Sequence, residues 1–176
     1  MKKGYTLIEL MLVCTIVLFL CTIGIPHFFN KSSHDLTYEL NKIEIILKFL
    51  QQRALATNQT QTIVIDPTIQ TFTWIINNQK ITHTLTPTLK FGFLPQSYGP
   101  PSDPTALITD SITFKQINNF YYIELFPNGK ISSGSIYLID KNRIIMGALT
   151  SGISQVSYIR RYVYKSKAQQ WLHYTS

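Results

Sequence analysis

The run from Tyr5 to Phe29 constrains this chain more than any other feature, because it is almost entirely apolar and contains one charged residue, Glu9. As a helix rising 1.5 Å per residue, it would span roughly 37 Å, enough to cross the hydrocarbon core of a bilayer. Lys2 and Lys3 precede the run, and Lys31 follows it. A carboxylate inside a membrane helix costs about 2.5–3.5 kcal/mol on insertion scales, so Glu9 is expected to have a partner or a function. The sequence therefore predicts a membrane-spanning helix that carries a specialised carboxylate.

Two other interpretations of the apolar run are weaker. A cleaved secretory signal fits poorly, because the run exceeds an ordinary h-region and no small-x-small pattern closes it. A lipoprotein site is disfavoured, because large apolar residues precede Cys14 and Cys21. These two cysteines would lie about 10 Å apart along a helix, beyond disulfide reach, and are interpreted as small apolar fillers. A plain anchor explains the length and the lysines but leaves Glu9 unexplained.

The segment Lys2–Leu10, with the sequence KKGYTLIEL, resembles the class III signal of type IV pilins and type II secretion pseudopilins. The resemblance implies that a prepilin peptidase cleaves between Gly4 and Tyr5 and methylates Tyr5, where the family usually has Phe. It also implies that Glu9 pairs with the terminal ammonium of a neighbouring subunit during assembly, and that Pro26 kinks the first helix. Such pairing would relieve the cost of burying either charge alone.

A second helical pattern follows, from Leu36 to about Ala56. Its apolar residues recur at spacings of three and four, which predicts one buried stripe on a helix that either begins near Asp35 or continues from the first run. Glu39, Lys42, Lys48 and Gln52 lie off this stripe and are expected on other faces. The stripe residues are Leu36, Leu40, Ile43, Leu47, Leu50 and Ala54.

Beyond Asn58 the composition favours strands, predicted at 60–66, 71–77, 80–85, 111–114, 120–126, 135–140 and 143–149. Asn128-Gly129 and Lys141-Asn142 are hairpin signals, and 92–104 holds four of the eight prolines and predicts an irregular loop. The predicted fold class is α+β: a long N-terminal transmembrane-to-amphipathic helix packed on a mostly antiparallel β-sheet domain. The expected segments are a leader at 1–4, a transmembrane and assembly helix at 5–29, its amphipathic continuation at 30–58 and a globular β-rich domain at 59–176.

Three downstream segments, Gln52–Asn58 with the strand after it, Phe126–Ile136 and Thr150–Gly152, resemble the H-type minor pseudopilin domain, which is shared with FimT-type minor pilins. The resemblance implies a minor pseudopilin of a type II secretion system, assembling into a periplasmic pseudopilus that drives protein export. The alternative is a minor pilin of a type IV pilus, serving initiation, adhesion or DNA uptake. Implied partners are other pilin or pseudopilin subunits, a prepilin peptidase and the bacterial inner membrane, with the globular domain on the periplasmic side.

The sequence offers no catalytic or metal-binding constellation, so it predicts a protein that is not an enzyme and that carries no cofactor or metal. Metal-binding His and Cys spacings and a phosphate-binding glycine loop are missing. Asp103 and Asp110 are weak evidence for calcium, and Ser133 and Ser135 have no base nearby in sequence. Four scattered histidines are expected at surfaces or edges: His27, His34, His83 and His173.

The C-terminal segment interleaves aromatic rings with Arg160, Arg161, Lys165 and Lys167, which are candidates for nucleic-acid binding. The competing interpretation is a terminal strand with rings packed inward and basic heads in water. The second is favoured, because adjacent residues such as Arg160 and Arg161 face opposite sides of a strand. DNA-binding FimT-type members are implied to carry Gly-Arg-x-Arg at the terminal turn, where this chain has Gly-Ile-Ser-Gln from Gly152, and this departure disfavours DNA uptake.

Overall fold

The computed structural model describes residues 6–29, 31–99, 105–152, 158–165 and 170–174, without the side chains of 21–29, 31–32, 165, 170 and 173–174. Two helices open the fold, α1 at Leu7–Phe29 and α2 at Lys31–Thr57. Ten strands follow in the described part of the chain: β1 Gln61–Asp66, β2 Thr71–Ile76, β3 Gln79–Thr84, β4 Leu89–Phe91, β5 Lys115–Ile117, β6 Phe120–Leu125, β7 Gly134–Asp140, β8 Met146–Ser151, β9 Ile159–Lys165 and β10 Gln170–Tyr174.

The predicted long N-terminal helix is not seen. The structure describes two helices, α1 and α2, and residue 30 between them lies outside the described residues. Pro26 lies three residues before the last residue of α1. A proline has no backbone N–H to donate, and its ring crowds the carbonyl group four residues earlier, so the hydrogen-bond ladder is weakened near this end. The same boundary separates the apolar α1 from the mixed, amphipathic α2.

The predicted membrane span, and with it the predicted single-pass inner-membrane localisation, is contradicted. Within the described ranges, neither helix combines the length and the apolar character that a bilayer crossing requires.

The apolar stripe predicted on α2 is confirmed. Each of its six residues is at most 2% exposed: Leu36, Leu40, Ile43, Leu47, Leu50 and Ala54. Glu39 lies off this stripe, yet its carboxylate is also buried, at 2% exposure. The helix ends at Thr57, and Asn58 follows with a φ of 52°, the left-handed conformation that terminates many helices.

The first sheet is antiparallel and has the strand order β3-β2-β1-β6-β5. β2 and β3 are joined at Asn77 and Asn78, whose φ angles of 49° and 62° fit a tight hairpin turn. A similar pair, Asn118 and Asn119, joins β5 to β6 with φ angles of 48° and 69°. The strand predicted at 111–114 forms only an isolated bridge, Ile112 to Ile136, and β5 lies just after it.

A second antiparallel sheet has the order β10-β9-β8-β7-β4. The predicted β-sheet domain therefore contains two sheets, a division that the sequence did not indicate. The turn at Asn128-Gly129 closes with a hydrogen bond from Phe126 N to Lys130 O at 2.8 Å. The chain after this turn enters β7 and therefore leaves the first sheet for the second. The predicted hairpin at Lys141-Asn142 does pair two neighbouring strands, β7 with β8. The sequence pattern predicted strands at 135–140 and 143–149, close to β7 and β8, but could not assign them to a separate sheet, because that assignment depends on long-range pairing.

The main core lies between α2 and both sheets. Leu47 and Leu50 of α2 belong to one buried cluster with Ile65 and Ile123 of the first sheet and Leu138 of the second. A smaller cluster covers the other face of the second sheet, formed by Tyr137, Met146, Ala148, Tyr162, Tyr164 and Ile108 with Trp171 packed against it. The second sheet is therefore buried on both faces, and α2 connects the two sheets.

Replacing Leu47 with Ala should lower the free energy of unfolding by about 2–5 kcal/mol, because it leaves a cavity where the side chain is now fully buried. The matched control is Ile45→Ala on the same helix, where the side chain is 66% exposed and the change should stay within about 0.5 kcal/mol. Urea unfolding of both variants measures the difference, and equal losses would contradict the packing of α2 described above.

Candidate functional site

The first candidate site is the surface of α1. Its large apolar side chains from Leu7 to Leu20 are all more than half exposed, on every side of the helix: Leu7, Ile8, Leu10, Met11, Leu12, Val13, Ile16, Val17, Leu18, Phe19 and Leu20. A helix that is apolar all round is ordinarily buried, and a large exposed apolar surface marks an interaction site. The described part of α1 therefore has the character of an interface rather than of a surface helix.

Glu9 forms a local capping box with Thr6 at the start of α1. The Thr6 backbone N–H donates to Glu9 Oε2 at 3.1 Å, and the Glu9 backbone N–H donates to Thr6 Oγ1 at 3.3 Å. Each side chain thus satisfies a backbone donor that the first helical turn leaves unpaired. The Thr-x-x-Glu spacing just before an apolar run is the sequence signal for this motif, and the motif was not among the predictions.

The remaining predicted processing and assembly residues are only partly described. Gly4 and Tyr5 lie outside the described residues. Pro26 lies within the backbone of α1, three residues before the helix ends. Since α1 begins at Leu7, the predicted cleavage position precedes the first helical residue.

The structure separates the two arginines that the sequence placed side by side. Arg161 is 6% exposed and pairs with Glu44 of α2 through its Nε atom, while its guanidinium also donates to the Asn41 side chain. Arg160 is exposed on the opposite face of β9, with its guanidinium carbon 4.1 Å from the centre of the Tyr158 ring. Lys165 is the last residue of β9, but its side chain and the whole of Lys167 lie outside the described residues. Of the predicted nucleic-acid set, Arg160 alone is described as an exposed cation.

The Glu44–Arg161 pair fastens α2 to the second sheet. The Glu44 carboxylate also pairs with Lys48 Nζ at 2.6 Å, and the Lys48 side chain is 53% exposed. Removing one partner of a buried ion pair leaves an uncompensated charge away from water, which is far costlier than losing an exposed pair. No local pattern in the sequence indicates this pair, because its members are separated by most of the domain.

A second buried carboxylate, Glu39, fastens α2 to β3 and to the segment after it. His83 Nε2 lies 2.8 Å from Glu39 Oε2, and the Thr86 backbone N–H donates to Glu39 Oε1 at 3.0 Å, with the Thr86 hydroxyl donating to the same oxygen. Burial acts to raise the pKa of Glu39, but the hydrogen bonds from His83 and Thr86 outweigh it, so this pKa is lowered from 4.5. His83 was expected at a surface or edge, and its side chain is instead only 11% exposed.

Of the two aspartates that are weak evidence for calcium in the sequence, only Asp110 is described. Asp110 is exposed and accepts a hydrogen bond from the neighbouring Thr109 hydroxyl at 3.0 Å, and Asp103 lies outside the described residues. Among residues that are described, no three His, Cys, Asp or Glu side chains gather into a possible metal site.

Replacing Glu44 with Gln should lower the free energy of unfolding by about 3–5 kcal/mol, because the buried Arg161 loses its carboxylate. Lys48→Gln removes the exposed partner of the same carboxylate and should cost at most about 1 kcal/mol. Chemical denaturation of both variants measures this, and similar losses would contradict a buried role for the Glu44–Arg161 pair.

The lowered pKa of Glu39 predicts an acid-dependent loss of stability. Because the folded state holds this proton less tightly than the unfolded state, its contribution is present above pH 4.5 and is lost as the pH falls through the lowered pKa. The free energy of unfolding of the wild type should therefore fall more steeply than that of Glu39→Gln between about pH 5 and pH 3. Urea unfolding across this range tests the prediction, and parallel pH profiles would refute it.

Comparison of the chain with family models, with curated proteins and with solved structures gave no match. The resemblance to pilins and pseudopilins therefore rests on the residues of the N-terminal signal and of the downstream turns.

Proposed function

We propose that this chain is a filament subunit of the minor pseudopilin type, which packs α1 against the helices of neighbouring subunits in a pseudopilus that drives protein export. The observation that carries the proposal is the all-round exposure of the apolar side chains of α1 directly after a prepilin-like signal. Packing these side chains between subunits would remove them from water, a gain of about 25 cal/mol for each Å² of apolar surface. The role is one of assembly, with no catalytic step.

Two further elements belong to the proposal. A prepilin peptidase would cleave between Gly4 and Tyr5, and the new terminal ammonium would meet Glu9 of a neighbouring subunit. In the single chain Glu9 accepts from Thr6, whose N–H and hydroxyl are neutral donors. An ammonium is a stronger partner for a carboxylate that leaves water, so assembly would replace the local hydrogen bonds with a charge-assisted one.

A minor pilin of a type IV pilus is the second candidate. It would use the same α1 interface, and the exposed Arg160 with its Tyr158 ring favours it when the pilus contacts an anionic surface or nucleic acid. Arg161 adds nothing to that surface, because Glu44 holds it in the interior.

Glu9→Gln should reduce recovery of the subunit in filaments sheared from the native host by at least tenfold, because it removes the charge that pairs between subunits. Gln at this position of a capping box still bonds the Thr6 N–H, so α1 should keep its start. The matched control is Thr6→Ala, which keeps the charge and costs about 1 kcal/mol of helix stability. Immunoblotting of the sheared fraction against total cell protein measures recovery.

If Glu9→Gln is recovered in sheared filaments at the wild-type level, the proposed role of the Glu9 charge in assembly is contradicted. Intact mass of the protein from its native host tests processing independently. A chain that begins at N-methyl-Tyr5 would support the pilin class, whereas a chain that begins at Met1 would overturn it.

A further inference from the structure

A small cavity lies at one end of the second sheet, on the face turned away from α2. It has a volume of about 110 Å³ and is bounded by strands β7, β8 and β9. Arg161 marks the face toward α2, since it pairs with Glu44 there, and the neighbouring Arg160 faces the opposite way, into the region of the cavity. The residues around the cavity are Gly134, Ser135, Thr150, Ser151, Gly152, Tyr158, Arg160 and Tyr162.

Three polar side chains form a row across this end of the sheet. Ser135 of β7 is directly opposite Thr150 of β8, and Thr150 is directly opposite Arg160 of β9. Residues paired in this way share a face, with their Cβ atoms about 4.5–5.5 Å apart. The register therefore presents two hydroxyl groups and one guanidinium to the same small space.

The Arg160 guanidinium is stacked on an aromatic ring and has no carboxylate partner among the described residues. Its guanidinium carbon lies 4.1 Å from the centre of the Tyr158 ring, and within the described chain it makes no ion pair. Tyr158 and Gly152 both line the cavity, and a Cβ at Gly152 would make an ordinary contact of 3.7 Å with the Tyr158 ring. A cation stacked on a ring keeps its N–H donors available at the edge of the guanidinium plane.

We propose that this cavity binds a small oxyanion, namely a phosphate group. The Arg160 guanidinium matches a pair of phosphate oxygens with two parallel N–H donors, and the hydroxyls of Ser135 and Thr150 can donate to the remaining oxygens. The volume of about 110 Å³ is large enough for one such group. The phosphate is either a free anion or part of a nucleic-acid backbone. The site does not depend on the assembly role proposed above.

The test is a titration of the full chain, kept in mild detergent, with inorganic phosphate against chloride at constant ionic strength. Amide NMR shifts of Thr150, Gly152 and Arg160 should move saturably with phosphate. Arg160→Gln should weaken the apparent affinity at least tenfold. The matched control is Arg143→Gln, which removes the same charge from an exposed turn outside the cavity and should bind as the wild type does.

Absence of a saturable response in the wild type would overturn the site, as would equal affinity of Arg160→Gln and the wild type. Thr150→Val, which removes the hydroxyl and keeps the shape, should weaken phosphate binding several-fold while leaving thermal unfolding close to that of the wild type. A short single-stranded oligothymidylate distinguishes the two sources of phosphate. Competition between it and inorganic phosphate assigns the site to a nucleic-acid backbone, and independent binding assigns it to a free anion.

Discussion

The burial of one apolar stripe of α2 holds the globular part of this protein together. The stripe packs against strands of both sheets, which are not joined to each other by strand pairing in the described structure. Neither sheet could cover its inner face without this helix, because both present apolar residues such as Ile65 and Leu138 to it. Two buried carboxylates on the same helix then fix its position: Glu39 is bonded to His83 and Thr86 beside the first sheet, and Glu44 to Arg161 of the second. Hydrophobic burial supplies the driving force, and these directional contacts select one orientation of the helix.

The elements that depend on local spacing could be predicted from the sequence, and those that depend on distant partners could not. The stripe from Leu36 to Ala54 follows from the helical period alone, and the turns at Asn77-Asn78 and Lys141-Asn142 follow from residue types. The two-sheet arrangement was missed because the chain changes sheets after the turn at Asn128-Gly129, and local alternation carries no information about that change. The long N-terminal helix was expected because two helical patterns adjoin in the sequence, and the local period of each pattern does not establish that the two form one element.

The candidate sites also differ in whether neighbouring residues or distant strands determine them. The exposed apolar surface of α1 and its Thr6–Glu9 capping box are both readable from neighbouring residues, although only the lone carboxylate was noticed in the sequence. The phosphate-sized cavity depends on the register of three strands, which aligns Ser135, Thr150 and Arg160 from distant parts of the chain. Cross-strand register is set by packing of the sheet as a whole, so no local pattern reveals such a row.

The different environments of Arg160 and Arg161 decide how the basic terminal strand can be studied. Neutralising all the basic residues of this strand would remove the partner of Glu44, and a buried carboxylate left with only the exposed Lys48 costs folding energy. Loss of binding in such a variant would then follow from a destabilised domain as readily as from a lost contact. Arg160 is exposed, stacked on Tyr158 and outside the buried ion pair, so its substitution removes a surface cation while the attachment of α2 to the second sheet stays intact. Among the described side chains of β9, an anion-binding role is therefore a question about Arg160, and Arg161 belongs to the fold.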